Sequence, residues 1–456
     1  MLLLLLSCLV TLNTLLAQGY PGLSVDNYSG VHGLLLNPAS VAGSRTGTEI
    51  NLASVAAFAA NDYLKLNSTD IKEAIDNDLN DQVMLRTPGD DRSLNAHADV
   101  LGPSLLMSFG KHTGLGILTR ARSLYTLRNM NGQLVEGTTI GFDELGDFTF
   151  DQRDHHSTLH TWGEVALVFG TEIVQLEAHV LKAGVSLKYL QGLGAVYTYG
   201  EALAGSYDAG NGRMSVDGDV TFGRAQELYY DDVSFDVRAG GVGFDLGLVY
   251  EWRPTSGTET QAYRPYRLRV AASIMDLGKI TYDDTYADTY RLAGTIPVSR
   301  IEDAGDTESA LYENFVATYA EESVDIGLPT ALNLLVDYRL TGKLYVSALY
   351  TSPMSSDERL SNGVPTTLTL APRVETRGFG LYLPYSFRTE QPNSLGVGMR
   401  LGPLLLGSGS LLSSVLSDGV QTVDVYAGIK LPFHRKVKKD KRAKAKGGDA
   451  GAEMGK

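Results

Sequence analysis

The chain has 456 residues and a formal charge of −14, from 39 Lys and Arg against 53 Asp and Glu. It therefore lacks the cation excess with which nucleic-acid binders displace counterions. Its 50 glycines are about 11 % of the chain against a usual ~7 %, and with 24 Tyr and only 8 His they favour strands and tight turns over helices.

The opening run MLLLLLSCLVTLNTLLAQGY contains the only cysteine, Cys8, and an apolar core from Leu2 to Leu16 that ends on the small residue Ala17. It reads as a secretory signal peptide over residues 1–18. The alternative takes Leu5-Leu6-Ser7-Cys8 as a lipoprotein box. No later stretch reaches the ~20 apolar residues of a membrane helix, so any membrane crossing is made by strands.

In NYSGVHGLLLNPAS, residues 27–40, Pro38 fixes its own φ and keeps Asn37 out of the helical region, which predicts a turn at Asn37, Pro38 and Ala39. From residue 47 onward the dominant signal is period-two alternation. It is clear in AGVSLKY (183–189), MSVDGDVTF (214–222), LRVAASI (268–274), ALNLLVDY (331–338), FGLYLPYSF (379–387) and SLGVGMRL (394–401). In FDLGLVYEW, Phe244, Leu246, Leu248, Tyr250 and Trp252 share one face, and Asp245, Gly247 and Glu251 lie on the other. The apolar set moves from odd numbers at Val233, Phe235 and Val237 to even numbers after Gly240-Gly241, which predicts a glycine β-bulge there.

Some gaps are short turns, as at Gly110–Gly114 and Thr341-Gly342, whereas residues 61–97, 127–159, 283–330 and 352–365 read as long polar loops. Short turns at one end and long loops at the other are the asymmetry of an outer-membrane barrel. The expectation is an all-β fold: a transmembrane antiparallel β-barrel of about 14 strands, between 12 and 16, over residues 47–433. An even count returns both termini to the periplasmic side of the outer membrane of a Gram-negative bacterium. Tyr250, Trp252, Tyr385 and Phe387 are the expected interfacial girdle.

Three polar clusters suggest other chemistry. DQRDHHSTLH offers His155, His156 and His160 with Asp151 and Asp154 as candidate metal ligands, against a solvated loop. Asp283, Asp284 and Asp288, and the stretch DNDLND at 76–81, are Ca²⁺ candidates that read equally as exposed loops; the second lacks EF-hand order. No Gly-x-Ser-x-Gly elbow or Walker loop is present. The reading is therefore no enzyme and no cofactor.

The chain then runs VDVYAGIKLPF over 423–433, with odd positions apolar, and turns at once into a tail whose residues 435–456 hold nine Lys or Arg and three Asp or Glu. Low hydrophobicity and like charge predict a disordered basic segment over 434–456. The spacing of Gly428, Leu431 and Phe433 resembles the C-terminal insertion signal of bacterial outer-membrane barrels, which implies recognition by the barrel-assembly machinery.

A second resemblance covers most of the chain after its leader. NYSGVHGLLLNPAS, ASIMDLGKITY (272–282) and SLGVGMRLGPLLL (394–406) together resemble a family of Bacteroidota outer-membrane barrels catalogued as domain of unknown function 5723. Asn-Pro-Ala near the start is also similar to FadL-like fatty-acid transporters and PorV-type secretion proteins. The resemblance implies that residues 19–46 fold inward as a plug, the alternative being a periplasmic turn. It leaves two functions open: a conduit for small hydrophobic or amphipathic solutes, or a non-transporting structural barrel whose acidic loops engage other envelope or secretion components. In either case the surroundings are outer-membrane lipid and lipopolysaccharide.

Overall fold

A computed structural model describes residues 19–67, 84–110, 112–139, 141–225, 239–254, 265–304, 307–354, 360–389, 391–417 and 419–433. The expected leader, the 76–81 cluster, Val233–Val237 and the basic tail lie outside the described residues.

One antiparallel sheet of twenty strand segments closes on itself. Several segments stand in line between the same neighbouring strands, so the described residues form fourteen staves. These are β1 (Thr48–Asn61), β2 (Arg92–Leu101 and Ser104–Phe109), β3 (Thr113–Met130), β4 (Phe148–Leu176) and β5 (His179–Asp208). They continue with β6 (Arg213–Ala225 and Ala239–Trp252), β7 (Leu268–Pro297), β8 (Val316–Thr318, Glu321–Gly327 and Ala331–Arg339), β9 (Leu344–Pro353) and β10 (Thr367–Glu375). The last are β11 (Phe379–Tyr382 and Tyr385–Arg388), β12 (Ser394–Leu395 and Val397–Leu401), β13 (Leu404–Ser408) and β14 (Thr422–Phe433). Closure is made by β14 against β1, paired from Thr48↔Phe433 to Ala60↔Thr422 with one register shift between Asn51 and Ala53. A closed ring leaves no unpaired strand edge, the condition for strands to cross a bilayer.

The exterior carries the membrane signature. On β5 the outward residues Val185, Leu187 and Tyr189 are exposed, as are Val165, Leu167 and Phe169 on β4 and Phe244, Leu246 and Leu248 on β6. Inward positions alternate with them and are buried, among them Lys182, Ser186 and Lys188. Exposed apolar side chains all around one band are costly in water and favourable in hydrocarbon. Trp252, Tyr338 and Phe433 are exposed near the end where β1 begins and β14 finishes, and Phe387 near the far end, where it stacks edge to face on Tyr385 at 4.6 Å. Tyr250 lies half-buried one pleat from Trp252 and shares a 2.7 Å hydrogen bond with His179.

Two expectations are corrected. Residues 148–159 and 283–297 are not loops: β4 and β7 run straight through them. Together with β5 and β6 they project past the apolar band as a tall wall, and there the sense of the alternation inverts. Met214, Val220 and Phe222 point inward into an apolar cluster with Phe148, Phe150, Tyr290 and Leu292, while Asp217, Asp219 and Arg291 face out. Helices α2 (Gly132–Thr139), α3 (Ser299–Asp303) and α4 (Thr307–Asn314) lie beside this wall, and Leu311 of α4 joins its cluster. Where water replaces lipid, the usual inside-apolar rule returns.

The second is the bulge, which lies away from Gly240-Gly241. Gly240 and Gly241 pair with Gln191 and Leu190 without interruption. The register shift falls instead opposite Phe244–Leu246, where β7 inserts an extra residue and Asp276 takes φ +58°.

Candidate functional site: the filled lumen

The N-terminal segment, residues 19–46, occupies the ring. Short elements suit it: α1 (Val31–Leu34) and a 3-10 turn, Pro38–Val41. Asn37 caps that turn by accepting from the Ala39 amide at 2.9 Å. Its other side-chain group donates to the wall, to the Leu248 carbonyl at 3.1 Å and the Ala272 carbonyl at 3.0 Å. Asn37, Pro38 and Ala39 thus form a turn and at the same time its attachment point.

The inward glycines explain how the turn comes so close. A Cβ on Gly184 would collide with the backbone of Pro38 and Ala39, and one on Gly247 with the Asn37 side chain. Gly170 would meet Val41 in the same way. The glycine-rich inner face is a cradle for this segment.

Buried charges hold the rest. Arg400 donates to Asp26 at 2.9 Å, and the Tyr382 hydroxyl donates to the same carboxylate. Burial raises the Asp26 pKa, but the Arg400 guanidinium and the hydrogen bonds from Glu375, Tyr382 and the Tyr28 amide together outweigh it and keep the carboxyl well below the usual range. Lys430 donates to the Tyr28 and Ser29 carbonyls at 2.6 Å each and pairs with Glu49, which accepts from the Val31 amide at 2.9 Å. His32 is fully buried, 3.0 Å from the Ser54 hydroxyl, with its ring 4.5 Å from that of Tyr20. Burial first, and Lys430 second, hold its imidazole below its ordinary pKa, so it is neutral.

Above the segment, an ion ladder crosses the inner wall. Arg120 pairs with Asp99 and, at 3.4 Å, with Glu164. Arg122 donates to Asp276 at 2.8 Å and lies over the Trp162 ring. Lys188 bridges Asp245 at 2.7 Å and Asp276 at 2.5 Å. The left-handed backbone at Asp276 is a strained conformation for a residue with a side chain, and it aims the carboxylate at both cations.

Two spaces remain. One of about 200 Å³ lies on the far side of the segment, floored by Val25, Leu35 and Leu36, walled by Asp99, Arg120, Met275 and Leu349, and roofed by Val364 and Pro365. The roof is pinned by Asn362, which is buried and donates to the Leu124 carbonyl at 3.2 Å and the Thr158 carbonyl at 2.7 Å. A smaller space of about 50 Å³ lies on the side where β1 begins and β14 finishes, beside Asp26, Arg45 and Glu251. Ser24, Leu36, Asn333 and Leu349 line both.

Other sequence candidates fall elsewhere. His155, His156 and His160 are buried on β4 and not in a solvated loop. They do not form a metal site: among the described residues no three His, Cys, Asp or Glu are placed to hold an ion. His160 instead approaches the Tyr282 hydroxyl at 3.1 Å and lies against Trp162. Asp283 and Asp288 stand on strand β7, not in a loop. On β14, Gly428 faces inward against Ser54, while Leu431 and Phe433 face outward. The charged residues of the ladder and of the segment's attachments were missed; their signal was an isolated charge inside an otherwise apolar strand, as at Asp276 within ASIMDLGKITY.

A barrel crossed by an apolar band and filled by its own amino-terminal segment is the class these features define. The chain belongs to the family of unknown function DUF5723, whose model matches residues 38–409. No curated protein matches it in sequence. It is similar in structure to the toluene transporter TodX of Pseudomonas putida, at 11 % identity and TM-score 0.44 over 93 % of this chain and 100 % of that one. Similar values hold for the Ralstonia pickettii toluene transporter TbuX, at 12 % and 0.43 over 89 % and 95 %. A Pseudomonas aeruginosa FadL homologue matches at 10 % and 0.42 over 92 % and 99 %.

Proposed function

We propose that the protein is an outer-membrane conduit for small hydrophobic or amphipathic solutes, with periplasmic termini and residues 19–46 as its plug. The supporting observation is that the two spaces share Ser24, Leu36, Asn333 and Leu349, so one narrow contact between segment and wall separates them. A solute entering from the far side rests on the segment and passes when that contact opens. The larger space holds roughly seven waters' volume, which limits cargo to small molecules. The basic tail stays in the periplasm, the Phe433 strand is the element presented to the barrel-assembly machinery, and lipid and lipopolysaccharide surround the band. No catalytic step is assigned.

Swelling of liposomes in arabinose, with uptake of labelled short-chain fatty acid by expressing cells, tests this. Flux above protein-free controls that rises in Leu36→Ala supports the conduit. No flux from either protein counts against it and favours the second reading, an interaction barrel. That reading draws on the projecting wall, whose outer face carries Asp217, Asp219 and Arg291 in water.

A further inference from the structure

We propose that a cleft on the inner face of the projecting wall binds a small organic cation, an alkylated ammonium, against the rings of Tyr286 and Tyr319 and the carboxylates of Asp288 and Glu321. It shares no lining residue with the two spaces of the lumen, so it stands apart from the conduit reading.

Strand pairing builds the cleft. On β7, Tyr286, Asp288 and Tyr290 alternate onto one face, and Tyr290 belongs to the apolar cluster, so that face is the inner one. Tyr286 pairs with Arg224 of β6 on one side and with Glu321 of β8 on the other, while Asp288 pairs with Phe222. Directly opposed residues share a face, so these five side chains line one surface. Tyr319 joins them from the break in β8 between Thr318 and Glu321, and Glu308 from α4. Together they border a space of about 420 Å³ with the buried Phe222 among its walls.

Two features select the ligand. Tyr286 and Tyr319 remain 54 % and 65 % exposed, so their rings are not consumed by packing and are open to a guest. The charges are also unequal: Asp288, Glu308 and Glu321 line the cleft against one cation, Arg224, which Glu308 engages at 3.1 Å. Of the charges next along these strands, Glu322 is acidic and Arg291 is held by Asp217 and Asp219 on the outer face. An anion is therefore repelled. A metal ion needs oxygens that converge on one point, and among the described residues no three His, Cys, Asp or Glu are so placed. An alkylated ammonium spreads its charge beneath an apolar skin, so it leaves water readily, lies against aromatic rings and still feels the carboxylates.

Equilibrium dialysis at low ionic strength tests the assignment, with labelled choline and its uncharged isostere 3,3-dimethylbutan-1-ol against the full chain in nanodiscs of zwitterionic lipid, and empty nanodiscs as control. Choline is expected to bind at least fivefold more tightly than the alcohol. Tyr286→Ala and Tyr319→Ala should each weaken choline about threefold, the size of one exposed cation–π contact. Asp288→Asn combined with Glu321→Gln should bring choline down to the level of the alcohol. All of these side chains are exposed or half-exposed, and a boiling-dependent gel shift of each variant shows that its barrel is intact. Equal retention of choline and alcohol by the natural chain overturns the cation assignment. Choline binding that ignores both tyrosine variants, or that Na⁺ displaces as well as tetramethylammonium does, means a screened acidic patch only and overturns the aromatic site. Absence of retention for both overturns the cleft altogether, and in every case the swelling assay decides the conduit by itself.

Discussion

At the scale of single residues, the N-terminal segment is held by groups whose ionisation is set by burial. His32 is neutral because its pocket disfavours the imidazolium, with the Lys430 ammonium adding to the effect while the Glu49 carboxylate pairs with that ammonium. A segment released to water takes up a proton below pH ~6.5, whereas the docked one does not, so docking weakens as pH falls through that value, by about 1.4 kcal/mol per unit. Proteolysis between residues 19 and 46 should therefore accelerate from pH 6.5 to 5, and His32→Gln should flatten the slope. Asp26 acts at lower pH, since its depressed pKa gives stability that is complete above ~3.9 and is lost beneath it. At neutral pH, Asp26→Asn leaves Arg400 buried beside an uncharged partner. The expected cost is about 3–5 kcal/mol of docking, read as faster cleavage of the segment.

At the scale of elements, strand alternation was legible because in the apolar band each face meets a different medium. FDLGLVYEW places Phe244, Leu246 and Leu248 outward and Asp245 and Glu251 inward, as the pattern demanded. The projecting ends of β4 and β7 were not legible, because a strand with water outside and protein inside carries polar residues that look like loop. MSVDGDVTF shows the same ambiguity: its alternation located the strand, but nothing in it told whether the apolar face met lipid or a core. The cradle was half-legible, since glycines at inward positions announce close approach but not what approaches. Gly184→Val places a branched side chain where the Pro38–Ala39 backbone lies, so it should expel the segment and raise liposome flux while the barrel persists. Phe433→Ala removes an outward aromatic that pairs with Thr48 at the closing seam. Its expected effect is a several-fold drop in the amount of protein recovered in the outer membrane. Undiminished levels would show that closure does not depend on this side chain.

At the scale of the whole molecule, a closed ring, an apolar belt and a polar filled interior come together. Each needs the others. The belt is tolerable only in lipid, the ring satisfies the backbone there, and the interior charges are stable because they pair with one another and with the N-terminal segment. The most direct test is fractionation of expressing cells followed by electrophoresis with and without boiling. Recovery in the outer membrane, with a band that migrates differently until boiled, is the predicted result. A soluble protein whose mobility ignores boiling would contradict the membrane barrel and remove the basis for a conduit.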